Sequence, residues 1–145
     1  MLVFAVSALA VGCGSSGDSD TGESGQAQEE QVRSVGQEFY ASLLDGNYEE
    51  ACSLFTNGAR KQIERLASGS EELRGSSCEQ ILGLVTGASG REMLKKQVGD
   101  VDEWQVKVNG DSATITPPDG GEASATEMVK VDGEWRIGAQ PTGSG

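Results

Sequence analysis

The 145-residue chain contains no histidine, and that absence removes more chemistry than most of the residues present could supply. Triads that pair serine or cysteine with histidine are excluded, and the commonest transition-metal ligand is missing. Basic residues are scarce too: 11 Lys and Arg stand against 23 Asp and Glu, a net charge of -12. Nucleic acid is therefore not an expected partner, because phosphate binding needs a basic face. The same acidity argues against adhesion of the domain surface to anionic lipid. No Cys-x-x-Cys pair, glycine-rich phosphate loop or Asp-x-Asp-x-Asp-Gly loop occurs, so no metal site or other cofactor is expected. Long apolar runs are also lacking. The stretch Met1 to Val11 would span only about 16 Å as a helix, roughly half a bilayer's hydrocarbon thickness.

What is present begins with that short run. Ala10-Val11-Gly12 ends it with small side chains, Cys13 follows, and GSSGDSDTGESGQAQ (14–28) opens a tract that can bury nothing. The order of apolar run, small residues, cysteine and polar tether resembles a bacterial lipoprotein signal, cut before the cysteine, whose thiol then carries a diacylglyceryl group. Ala10 stands where leucine is usual in such signals, and no Lys or Arg precedes Arg33, so the natural start is expected upstream. The competing reading makes residues 1–12 a core segment of a cytosolic protein, which the intervening polar tract opposes. The organisation expected is a signal segment at 1–12, a lipidated Cys13 with a disordered tether at 13–28, one domain at 29–140 and a flexible tail at 141–145. The location that follows is the extracytoplasmic face of a cell membrane, with acyl chains as the bilayer contact.

Beyond Cys13 the chain has one cysteine pair, Cys52 and Cys78. An exported domain meets oxidising conditions in which such a pair tends to form a disulfide. The alternatives are two buried thiols or a redox pair, the latter without the usual short spacing. Closing a loop of about 26 residues would stabilise the fold by roughly 3.5 kcal/mol on chain-entropy grounds.

From Glu29 to Leu44 the apolar residues Val32, Val35, Phe39, Leu43 and Leu44 recur at helical spacing. Asp45-Gly46-Asn47 should stop that helix, with Asn47 capping a second that carries Tyr48, Ala51, Cys52 and Phe55. Asn57-Gly58 is read as an interruption before a third helix, Ala59 to Leu66, with Ala59, Ile63 and Leu66 inward. A loop at 68–77 leads to a fourth helix from about Ser77 to Thr86, with Cys78, Ile81, Leu82 and Val85 inward, and a further turn could lie at 91–97. After Gly99 the pattern alternates, as strands require: Trp104, Val106 and Val108, then Ala113 and Ile115, then 122–131, then Trp135 and Ile137. Asn109-Gly110 and Asp132-Gly133 are hairpin signals, with a turn at 119–121 between them. The expected fold class is α+β, N-terminal helices packed on a curved four-stranded antiparallel sheet.

Three stretches carry a family resemblance: VRSVGQEFYASLLDGNYEEACSLF (32–55), SCEQILGLV (77–85), and VKVNGDSATIT with MVKVDGEWRIG. They resemble a nuclear transport factor 2-like domain, the cone-shaped fold also called cystatin-like, as found on actinobacterial lipoproteins. The resemblance implies a sheet curled around the first helix and a pocket at the wide end of the cone. Family members use that pocket for acid-base chemistry, for binding or for dimerisation, so fold alone does not select a function.

Phe39, Tyr40, Leu43, Trp104 and Trp135 are the candidate pocket residues, although the two tryptophans also share parity with core aliphatics on their strands. No catalytic residue is assigned. An acid-base isomerase or hydratase would need a pocket carboxylate, such as Glu38 or Asp102, with Tyr40 as oxyanion donor. The main expectation is instead a noncatalytic domain that binds a small apolar ligand, an envelope protein or a second copy of itself.

Overall fold

The computed structural model describes residues 24–118 and 125–138. The signal segment, Cys13, most of the tether, the turn at 119–121 and the tail at 141–145 lie outside the described residues. The domain begins earlier than its composition implies. Helix α1 runs Gly25–Asp45, so 25–28, expected in the tether, form its first turn. Val32, Gly36, Phe39 and Leu43 are its buried stripe. It ends where Gly46 takes φ 78°, with Gly46 N–H donating to Leu43 O and Asn47 N–H to Ser42 O. This is a Schellman arrangement, which glycine makes without steric cost. The Asn47 side chain then caps α2 (Tyr48–Ser53) by accepting from Glu50 N–H.

Between α2 and α3 (Asn57–Ala67) the break falls at Leu54 to Thr56, ahead of the Asn57-Gly58 pair that the sequence suggested. Thr56 is the reason, since its hydroxyl accepts from Ala59 N–H and caps α3, so that the helix begins at Asn57 itself. α4 (Cys78–Val85) opens on a capping box in which Ser77 and Gln80 exchange side-chain and backbone bonds. α5 covers Ala88–Val98, longer than the single turn expected. Cys52 and Cys78 are joined, with Cα atoms 6.1 Å apart, and the bond ties α2 to α4 inside the core.

The sheet is a meander of β1 (Gln105–Asn109), β2 (Ser112–Thr116), β3 (Thr126–Val131) and β4 (Glu134–Ile137), all neighbours antiparallel. Asp132 and Gly133 both have positive φ, 54° and 85°, as a type I′ turn requires. The first hairpin differs from the expectation by one place. Asn109 pairs with Ser112, and the loop is Gly110-Asp111 with positive φ at Gly110 alone. An Asn109-Gly110 loop would set Asp111 opposite inward-facing Val108, a burial that a carboxylate resists. In the observed register Ala113 takes that place.

Val106, Val108, Ala113, Ile115, Met128, Trp135 and Ile137 face the helices and belong to the core or pack on it. The other face presents Lys107, Thr114, Glu127 and Arg136. The sheet lies close against α1 at Gly36, where a Cβ would come 2.6 Å from Ile115 Cδ1 and 2.9 Å from Trp104 Cζ3. Two inward assignments do not hold. Leu66 and Val85 are 74% and 66% exposed, because in each case the next residue along, Ala67 or Thr86, takes the buried position.

Candidate functional site

The five candidate pocket residues separate into two groups. Phe39, Leu43 and Trp104 are buried in the core and Tyr40 is half-buried beside them. Phe39 meets Tyr40 and Phe55 edge-on at 5.3 and 5.2 Å, and Tyr40 meets Trp104 at 5.3 Å. Such edge-to-face contacts suit ring quadrupoles, and here they fill the space between α1 and the sheet. The polar atoms of this group are occupied. Trp104 Nε1–H donates to Val98 O at 2.6 Å, and the Tyr40 and Thr126 hydroxyls are hydrogen-bond partners at 3.4 Å.

Trp135 belongs to a different place. With Gln31, Ser34 and Val35 of α1, Ser53 and Leu54 at the end of α2, and Gly133, Glu134 and Arg136 of the last hairpin, it lines a groove of about 630 Å³. The groove exists because the chain after α2 runs along the edge of β4. Thr56 N–H donates to Ile137 O, Ile137 N–H donates to Leu54 O, and Phe55 bridges Ile137 in parallel register. Ser53 and Leu54 are thereby held beside β4, opposite the first half of α1.

The electrostatics of the groove are mixed. Arg136 donates from Nη1 to Ser53 O at 2.9 Å and from Nη2 to Glu134 at 2.8 Å, and that ion pair is exposed enough to add little stability. Val35 and Leu54 are the apolar wall. Trp135 is only 5% exposed, and its Nε1–H has no hydrogen-bond partner among the described residues. Lys130, its direct cross-strand neighbour, places Nζ 5.7 Å from the ring centroid, within cation-π range.

Glu38 and Asp102 are both exposed, and Tyr40 faces Thr126, so neither carboxylate is joined to Tyr40 as acid-base chemistry with that donor would need. A second polar cluster escaped sequence reasoning. Arg91 donates to the Tyr48 hydroxyl at 3.1 Å, and hydrogen bonds from Thr86 and Arg91 hold the Tyr48 phenol below its ordinary range. Close approach of Gly83 to the Tyr48 ring and of Gly46 to the Arg91 guanidinium permits it. Spacing in one dimension carries no trace of a contact between residues 43 positions apart. Among the described residues no group of three or more acidic or cysteine side chains could hold a metal ion, and no helix is long and apolar enough to cross a membrane. Compared with known protein families, curated proteins and solved structures, the chain has no match.

Proposed function

We propose that the protein is a nuclear transport factor 2-like domain tethered to the extracytoplasmic face of a membrane by acylated Cys13. Its groove between α1, Leu54 and β4 binds a small amphipathic molecule. The observation that carries this reading is the buried Trp135 indole beneath that groove. An unpaired buried donor costs roughly 1–3 kcal/mol, and an acceptor on a ligand would recover that once the ring turned slightly toward it. The groove volume falls within the usual range for small-molecule sites, and Val35, Leu54 and Trp135 offer an apolar floor to the ligand body. Support for the address comes from the sequence order around Cys13 and from the disulfide, which suits an oxidising compartment.

The test is a thermal shift of the full chain against fractions of an envelope metabolite extract, since a specific ligand raises the midpoint by mass action. At least one fraction should raise it, and Trp135→Phe should abolish that rise while lowering the midpoint of the free protein little. If no fraction shifts the midpoint, or if the Phe variant responds like the parent, the groove is not the site. Intact mass of the membrane-fraction protein should show the Cys13 adduct.

A further inference from the structure

β4 is an edge strand, and the segment after α2 covers only its second half. Ile137 N–H donates to Leu54 O and Ile137 O accepts from Thr56 N–H, so both main-chain groups of Ile137 point away from β3. Gly138 N–H turns back and donates to Glu127 O. Along an antiparallel strand these directions alternate residue by residue, which makes Trp135 face the open edge as Ile137 does. Continued in the same parallel register, the covering segment would set Ser53 beside Trp135. Ser53 instead ends α2, and its carbonyl accepts from Arg136 Nη1. No hydrogen bond among the described residues reaches the main-chain N–H or O of Trp135, and its indole Nε1–H is unpartnered as well. Trp135 thus brings two donors and one acceptor, all unpaired, to the groove that it lines.

We infer that the occupant of this groove is a short peptide in extended conformation, added to β4 as a further strand. The inference rests on the groove being a binding site and names the class of molecule it takes. A peptide backbone offers C=O and N–H together at strand spacing, which is what the open edge at Trp135 lacks. The same edge already accepts such an addition, because Leu54 to Thr56 pair with Ile137 in parallel register. A peptide residue set beside Trp135 shares its side of the sheet, where Val35 and Leu54 are the apolar wall. Its two neighbours share the side of Glu134 and Arg136, since side chains alternate along a strand. The preferred peptide therefore has an apolar residue between two polar ones.

The test uses the isotope-labelled full chain with Cys13→Ser, which carries no acyl anchor, followed by amide NMR. The probe is a mixture of tripeptides, acetylated and amidated at their ends, with an apolar central residue. Its addition should move the main-chain and indole N–H signals of Trp135 and slow solvent exchange of the main-chain one. Methylating every backbone nitrogen of the peptides removes their donors and should weaken binding about tenfold. Peptides that leave both Trp135 signals in place, or methylated peptides that bind as well as the parents, would overturn the inference. So would protection of the Trp135 amide that grows with protein concentration alone, which would give the edge to a second copy. A metabolite fraction that raises the melting midpoint of the parent but not of Trp135→Phe, while the peptides raise neither, keeps the groove and rejects the peptide. Silence from both removes the groove itself.

Discussion

Gly36 sets how closely the sheet can lie on α1. A glycine inside a helix gives up about 1 kcal/mol of propensity relative to alanine, so on helix grounds alone Gly36→Ala should stabilise. The surroundings reverse the sign. Ile115 is fully buried and the Trp104 ring is fixed by its bond to Val98, so neither atom nearest the new methyl can retreat. Overfilling a packed core costs roughly 1–3 kcal/mol, and Gly36→Ala is expected to lower stability by about 1–2 kcal/mol in urea unfolding. A higher midpoint for the variant would show that the contact is looser than described. Residue patterns made Val32, Phe39 and Leu43 legible as core, because helical spacing reports a side of the helix. The same spacing marked Leu66 and Val85 as inward. It fixes the buried side only to within a residue or so, and in the fold the next residue along, Ala67 or Thr86, is the enclosed one.

Among the elements, α4 depends most visibly on its first turn. Ser77 accepts from Gln80 N–H while Gln80 Oε1 accepts from Ser77 N–H. Replacing such a cap by alanine typically costs about 1 kcal/mol, and Ser77→Ala should lower stability by that order at neutral pH. The loss should depend on pH with a definite sign. A hydrogen bond from the Ser77 side chain, then a backbone hydrogen bond, holds Glu79 below its usual 4.5. A carboxylate depressed in the folded state stabilises above its unfolded value and loses that contribution as pH falls through its folded value. The deficit of Ser77→Ala should therefore narrow on acidification through the carboxylate range, measured as urea midpoints across pH. A deficit independent of pH would detach Glu79 from the cap. The Asn47 cap, the Gly46 stop and the Asp132-Gly133 turn were all readable, because each is local chemistry within four residues, whereas the Ser77 capping box was taken for the first turn of the helix itself. The first hairpin loop was not, since either two-residue loop keeps the same side chains inward and only the exclusion of Asp111 decides between them.

For the molecule as a whole, the Cys52–Cys78 bond is the largest single constraint, both sulfurs being almost fully enclosed. Chain entropy sets its worth at roughly 3.5 kcal/mol. The Cys52→Ser with Cys78→Ser chain should lose about 3–4 kcal/mol in chemical denaturation, more than either substitution above. An unchanged midpoint would mean that helical packing alone holds α2 on α4. The α+β order and the pairing of these cysteines could be read from the chain. The groove could not, because it depends on residues near 31, 54 and 135 meeting only after the meander has closed. The same covalent link has a consequence for proteolysis. The exposed stretch 68–77 lies wholly inside the ring that the sulfurs close. A protease that nicks it leaves two peptides still fastened together, and they part only when a reductant opens the bridge.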